Sequence, residues 1–167
     1  MSVSASATVF DSRPTLADAR FGSDPMNAVW HLAAQSPVHR KWALSEIERL
    51  FLPALETNQC TVYWSYGLPV GVATWMELPL TVIEQFVAGE FRLEPRHWTG
   101  HAFWPVHNTL HVLIVDMIAL DDTCHAIVHD LRRKFTGQTC FALRRNHGKR
   151  RLALFRGYDN DVAIHAA

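Results

Sequence analysis

The stretch Leu110-His111-Val112-Leu113-Ile114-Val115-Asp116-Met117-Ile118-Ala119-Leu120, followed at once by Asp121-Asp122, sets the architecture. It is a nearly unbroken aliphatic run bounded by two aspartates, and it reads as a buried strand. Asp121 or Asp122 then caps a helix that runs to about Phe135. Beyond it, Thr139 to Arg145 and Arg151 to Arg156 read as a terminal strand pair around Asn146-His147-Gly148-Lys149. Upstream, Cys60 to Tyr66 and Val70 to Met76 form a second hairpin, with Gly67-Leu68-Pro69 as the expected turn. Asp24-Pro25 offers an N-cap acceptor and a proline at the first helical position, and Met26, Val29, Trp30 and Ala33 follow at helical spacing until Ser36-Pro37. Leu44 to Glu56 is a second helix, with Pro53 placed to kink its end, and Leu80 to Ala88 a third that Gly89 stops. Glu94 to Asn108 is aromatic, His-rich and irregular. Helices and strands are mixed, with antiparallel hairpins at both ends. The expected class is therefore α/β, a mainly antiparallel mixed sheet flanked by helices.

The 167 residues fit one domain, expected over residues 23–160, with an N-terminal arm (1–22) and a short tail (161–167). No apolar run approaches the roughly 20 residues of a membrane span, and the first residues lack the pattern of a secretory signal. Three cysteines cannot all pair and match no zinc spacing, so free thiols in a reducing cytosol are expected. Sixteen basic and sixteen acidic residues give zero net charge. Residues 1–130 carry a net −7, however, while the stretch from Arg132 to Arg156 carries nine cations and no acid. Such a patch either attracts an acidic partner or is solvated charge guarding a sheet edge.

Two residues stand out for chemistry. His39 follows Ser36-Pro37-Val38, where the proline breaks helix and presents the next side chains at a helix–helix junction. Imidazole is suited to moving protons near neutral pH, and Arg40 and Lys41 should favour its neutral form; the plain alternative is a surface histidine in a basic turn. Asp116 interrupts the aliphatic strand, and a carboxylate there needs either a partner or a cleft. Histidine pairs four residues apart, His97/His101, His107/His111 and His125/His129, suggest a metal only weakly, because no His-Glu-x-x-His motif is present. No metal and no bound cofactor are expected.

On these residues the chain resembles the RTX toxin-activating lysine acyltransferases, the hemolysin-activating proteins. Ser36-Pro37-Val38-His39-Arg40-Lys41-Trp42 is similar to the family's Ser-Pro-x-His-Arg-x-Trp motif, and Leu52-Pro53-Ala54 and Asn58-Gln59 follow at its spacing. Leu68 to Trp75, Val115-Asp116-Met117-Ile118-Ala119, Arg132-Arg133-Lys134-Phe135 and Phe141 to Arg144 resemble later segments, so that the likeness spans about Met26 to Gly157. The resemblance implies a GNAT-like acyltransferase fold and a cytoplasmic enzyme. That enzyme would move a fatty acyl chain from acyl carrier protein to internal lysines of an RTX protoxin, and homodimers are known in the family. It places the catalytic His on His39, the catalytic Asp on Asp116 and the motif Ser on Ser36. The chain departs from the pattern in its N-terminal arm, in Met117 where Trp is common, and in its His- and Trp-rich loop from Arg96 to His111.

The turn Leu120-Asp121-Asp122-Thr123-Cys124 has no glycine and two carboxylates, and would repel the pyrophosphate of a CoA donor. A carrier-protein donor needs no such cradle. Arg132, Arg133, Lys134, Arg144 and Arg145 are the expected dock for its acidic surface. The competing readings are an acetyl-CoA-dependent GNAT N-acetyltransferase and a non-catalytic basic module binding nucleic acid or the carrier. The basic stretch lacks the aromatic interleaving of single-strand binders, so no nucleic-acid partner is expected.

Overall fold

Five strands lie side by side in sequence order: β1 (Cys60–Ser65), β2 (Leu68–Pro79), β3 (Leu110–Ala119), β4 (Thr139–Asn146) and β5 (Lys149–Arg156). The computed structural model describes residues 24–102, 104, 109–146 and 149–156, with backbone alone for 99–102, 143–146, 149–153 and 155–156. The expected arm and tail lie outside the described residues. Three of the pairings are antiparallel, and β3–β4 is parallel. A parallel pair needs a long crossover, here helix α4 (Thr123–Lys134). The mainly antiparallel mixed sheet is thus as expected.

Alternation along the strands sorts the core onto two faces. Leu113 and Val115 of β3, with Met76 and Leu78 of β2, pack against helices α2 (Leu44–Glu56) and α3 (Leu80–Ala88). Helix α1 (Pro25–Gln35) packs against α2, Val72 and Ile118. Val112, Ile114, Ala73 and Trp75 meet Ile127 and Leu131 of α4 on the other face. The layers are therefore helix, sheet, helix.

Local signals place the helix ends as expected. Asp24 Oδ1 accepts the Met26 N–H at 2.9 Å, and Gly89 ends α3 at φ +83°. Helix α2 runs through Pro53 to Glu56. At α4 Asp122 holds the N-cap position, but neither aspartate caps the helix with its side chain; the Thr123 hydroxyl instead donates to the Leu120 carbonyl at 2.6 Å.

The β1–β2 turn differs from expectation. It is Tyr66-Gly67, both at positive φ (+49° and +72°), a two-residue turn whose twist matches the strands. Leu68 and Pro69 therefore belong to β2, and a bulge at Tyr63/Trp64 accommodates Pro69, which has no N–H for the ladder. Strand β2 also continues past Met76, pairing Glu77 to Pro79 with Leu110 to Val112. The stretch expected to be irregular holds a 3₁₀ helix, Pro95–Ala102; residues 103 and 105–108 lie outside the described ones. The β4–β5 strands extend to a direct Asn146–Lys149 pair, while residues 147 and 148 lie outside.

Helix α4 packs close against β2 at Gly71. A Cβ there would collide with Ile127 Cδ1 and lie 2.9 Å from the Ile118 carbonyl oxygen. Gly71→Ala is expected to cost about 1–3 kcal/mol of stability, read as a lower urea midpoint. An unchanged midpoint would contradict this packing.

Candidate active site

His39 is placed by the end of α1. Pro37 holds Ser36 extended (ψ 126°), and Ser36 closes the helix with its N–H on the Leu32 and Ala33 carbonyls. The chain then turns through a short 3₁₀ segment, His39–Lys41, fixed by Arg40 N–H to Ser36 O (3.1 Å) and Trp42 N–H to His39 O (2.9 Å). Arg40 and Lys41 are exposed, whereas His39 is buried, its ring 4.6 Å from that of Trp42 and edge-on to Phe51.

Asp116 comes from β3, 77 residues away, through a β-bulge. Thr74 pairs with Asp116 but Trp75 pairs with Ile114, so Val115 is an extra residue on β3. Strict alternation would put Asp116 with Val112 and Ile114, facing α4. The extra residue returns it to the face of Val115, towards α1 and α2. There Asp116 Oδ2 lies 3.1 Å from His39 Nε2, and Oδ1 accepts the Met117 N–H at 2.7 Å.

On its other side, His39 Nδ1 meets Ser36 Oγ at 2.8 Å, and that oxygen also accepts the His39 N–H at 3.3 Å. In the tautomer that donates Nε2–H to Asp116, Nδ1 accepts from the Ser36 hydroxyl. The line Ser36–His39–Asp116 has the order of a hydrolase triad, but its access is reversed. Ser36 is buried, and the side chains of His39 and Asp116 are 7% and 19% exposed, so the carboxylate is the open end. An acyl-accepting serine would have to be the open end.

Asp116 opens into a groove of about 750 Å³, within the ordinary span of ligand sites. Trp42, Leu50, Phe86, Phe91, Trp98 and Val115 give it apolar walls, and Glu46, Arg49 and Arg92 supply charge. Gln59 steadies one wall by donating to the Trp98 carbonyl at 3.0 Å. Sequence reasoning named Trp42 and Gln59 only within motifs, and it did not find Phe86, Arg49, Arg92 or Thr74 as site residues. Their signals, core-like periodicity and isolated charge, are those of any helix, strand or loop of a folded domain.

The basic cluster is elsewhere. Arg132, Arg133 and Lys134 occupy the last turn of α4, on the sheet face opposite the groove, with the Lys134 ammonium 4.2 Å above the Trp75 ring. The side chains of Arg144 and Arg145 lie outside the described residues.

Two of the three histidine pairs are described only in part. His97 Nδ1 accepts the Glu94 N–H at 2.9 Å and stacks with Trp104; burial, then Arg96, holds it below the usual imidazole range, with Glu94 opposing. His125 and His129 are exposed on α4, and His111 is edge-on to Phe141. The side chain of His101 and all of His107 lie outside the described residues. Among the described residues no three His, Cys, Asp or Glu gather as a metal site, and no helix is long and apolar enough to cross a membrane. All three cysteines are free, and burial pushes the Cys60 thiol up to about 12, which leaves it unreactive at neutral pH.

A model of the RTX toxin acyltransferase family matches residues 23–156. The RTX-I toxin-activating lysine-acyltransferase of Actinobacillus pleuropneumoniae is 29% identical over 124 residues, 74% of this chain and 67% of that protein. A lysine-acyltransferase of Vibrio cholerae is 26% identical over 65% of this chain and 67% of its own length. A protein-lysine myristoyltransferase of Escherichia coli is 27% identical over 72% of this chain and 66% of its own length.

Proposed function

The chain belongs to the RTX toxin acyltransferase family, and on that footing we propose that it is a cytoplasmic protein-lysine acyltransferase. It moves a fatty acyl chain from acyl carrier protein to internal lysines of an RTX protoxin. The observation that carries this reading is the His39–Asp116 pair at 3.1 Å, whose open carboxylate faces a groove with both aromatic or aliphatic and charged walls. The groove's aromatic and aliphatic walls suit a lipid chain.

The reaction needs a neutral amine. A lysine ammonium drawn to Asp116 gives one proton to the Asp116–His39 pair, and its nitrogen attacks the thioester carbonyl carbon. As the carbon–sulfur bond breaks, the departing thiolate takes the second proton from the attacking nitrogen, and the pair releases the first proton to solvent. The products are the amide and the free carrier thiol. Both ring nitrogens of His39 are already hydrogen-bonded, which supports proton transfer over acyl capture by the imidazole. Ser36 holds the ring.

A GNAT-like fold is supported by the parallel pair, which holds only from Val112/Cys140 to Ile114/Ala142. Past it the facing edges of the two strands are unpaired, and their backbone groups suit the amides of an extended thioester arm. The turn before α4 supports a carrier rather than CoA as donor: Asp121 (φ +50°) and Asp122 stand where pyrophosphate would lie. The carrier's acidic surface docks on Arg132, Arg133 and Lys134, and Arg144 and Arg145 are assigned to the same dock on their charge alone.

A donor comparison tests this. Long-chain acyl carrier protein should support transfer and acetyl-CoA should not; the reverse result would sink the proposal. Reversing Arg132, Arg133 and Lys134 to Glu should raise the KM for the carrier about tenfold or more at low salt and flatten its salt dependence. An unchanged KM would put the dock on another surface.

A further inference from the structure

We propose that Thr74 is a positioning residue, whose buried hydroxyl holds the Asp116 main chain in the bulge and so aims its carboxylate at His39. The inference rests on the reading of Asp116 as the reacting carboxylate.

Thr74 is fully buried in β2, between Val72 and Met76 on the face that meets α1, α2 and α3. A hydroxyl in such a setting is costly unless it is bonded. Among the described residues its hydrogen-bond partners are both on Asp116: it accepts the Asp116 N–H at 3.2 Å and reaches the Asp116 carbonyl at 3.4 Å. The bulge interrupts the ladder at this point, so side-chain bonding supplements the main-chain pairing where regular spacing is lost.

The consequence concerns direction. Val115 is the extra residue, and the bulge is what turns Asp116 from the α4 face to the His39 face. A residue clamped at its own N–H and carbonyl has a fixed Cα–Cβ direction. From there the Met117 N–H fixes Oδ1, and Oδ2 falls to His39. Removing the Thr74 hydroxyl leaves a buried amide without this acceptor and loosens the bulge. Misplacement of a reacting group by about 1 Å costs on the order of 10²-fold in rate.

The test compares Thr74→Val, which keeps the shape and loses the hydroxyl, with Thr74→Ser, which keeps the hydroxyl and loses a methyl. Initial rates over a range of donor concentrations, at saturating acceptor, are measured across pH, beside thermal unfolding. Thr74→Val should lower kcat about 10²-fold with the donor KM unchanged, and should displace the pH–rate profile. Thr74→Ser should stay within a few-fold of the parent. In an Asp116→Asn background Thr74→Val should add little, because the two act through one group. Should Thr74→Val not fold, the serine variant decides the matter, since loss of activity in a folded Thr74→Ser protein overturns the proposal. So does a normal kcat in Thr74→Val, or an equal further loss in the Asp116→Asn background. If Asp116→Asn itself remains active, the reading of the site fails first. If Asp116→Asn is inactive but Thr74→Val is normal, only the role of Thr74 fails.

Discussion

His39→Ala is expected to lower acyl transfer by about 10²–10⁴-fold, the range of a positioned general base. The loss should fall on kcat, because the imidazole is buried behind Asp116 and outside the groove walls. The substitution deletes both of the ring's hydrogen bonds, so Asp116 Oδ2 and the Ser36 hydroxyl lose their partner. An unsatisfied buried group costs about 1–3 kcal/mol, so a modest fall in thermal midpoint should accompany a folded protein. Steady-state kinetics with fixed acceptor, beside circular dichroism, separate the two effects. A folded variant with near-parental kcat would remove His39 from the reaction.

Asp116→Asn should be almost as damaging, for a different reason. The Met117 N–H needs an acceptor, so it keeps the amide oxygen in the place of Oδ1. The amide nitrogen then faces His39 Nε2, and two donors cannot share a hydrogen bond. The ring must switch tautomer and donate Nδ1–H to Ser36, which leaves no free base on the open side. The attraction for an ammonium is lost as well. A fall on the order of 10²–10⁴-fold is expected, with the thermal midpoint near that of the parent. Near-parental turnover would show that the carboxylate neither draws the amine nor sets the ring.

The parts of the fold governed by nearest neighbours were legible. Asp24-Pro25 started α1, Gly89 ended α3, and the aliphatic run at 110–120 made the strand at the centre of the sheet. His39 and Asp116 stood out because each broke its local pattern. Their contact, across 77 residues, followed from packing that no spacing encodes. The bulge at Val115 was invisible for a physical reason: a strand apolar on both faces has no alternation whose slip could be read. Pro69 drew the turn expectation towards itself, although Tyr66-Gly67 had the backbone freedom to make it. Thr74 read as one more β-branched strand residue, and only its 0% exposure and its two bonds to Asp116 mark it as different. The basic stretch was plain in the sequence, but its position across the sheet from the groove was not.

The most direct test is peptide mass spectrometry of a candidate RTX protein co-expressed with this chain, its His39→Ala variant or its Asp116→Asn variant. The account predicts a fatty acyl mass on one or more internal lysines with the parent, and loss of that mass with either variant. An undiminished lysine acylation in the presence of folded His39→Ala protein would contradict it.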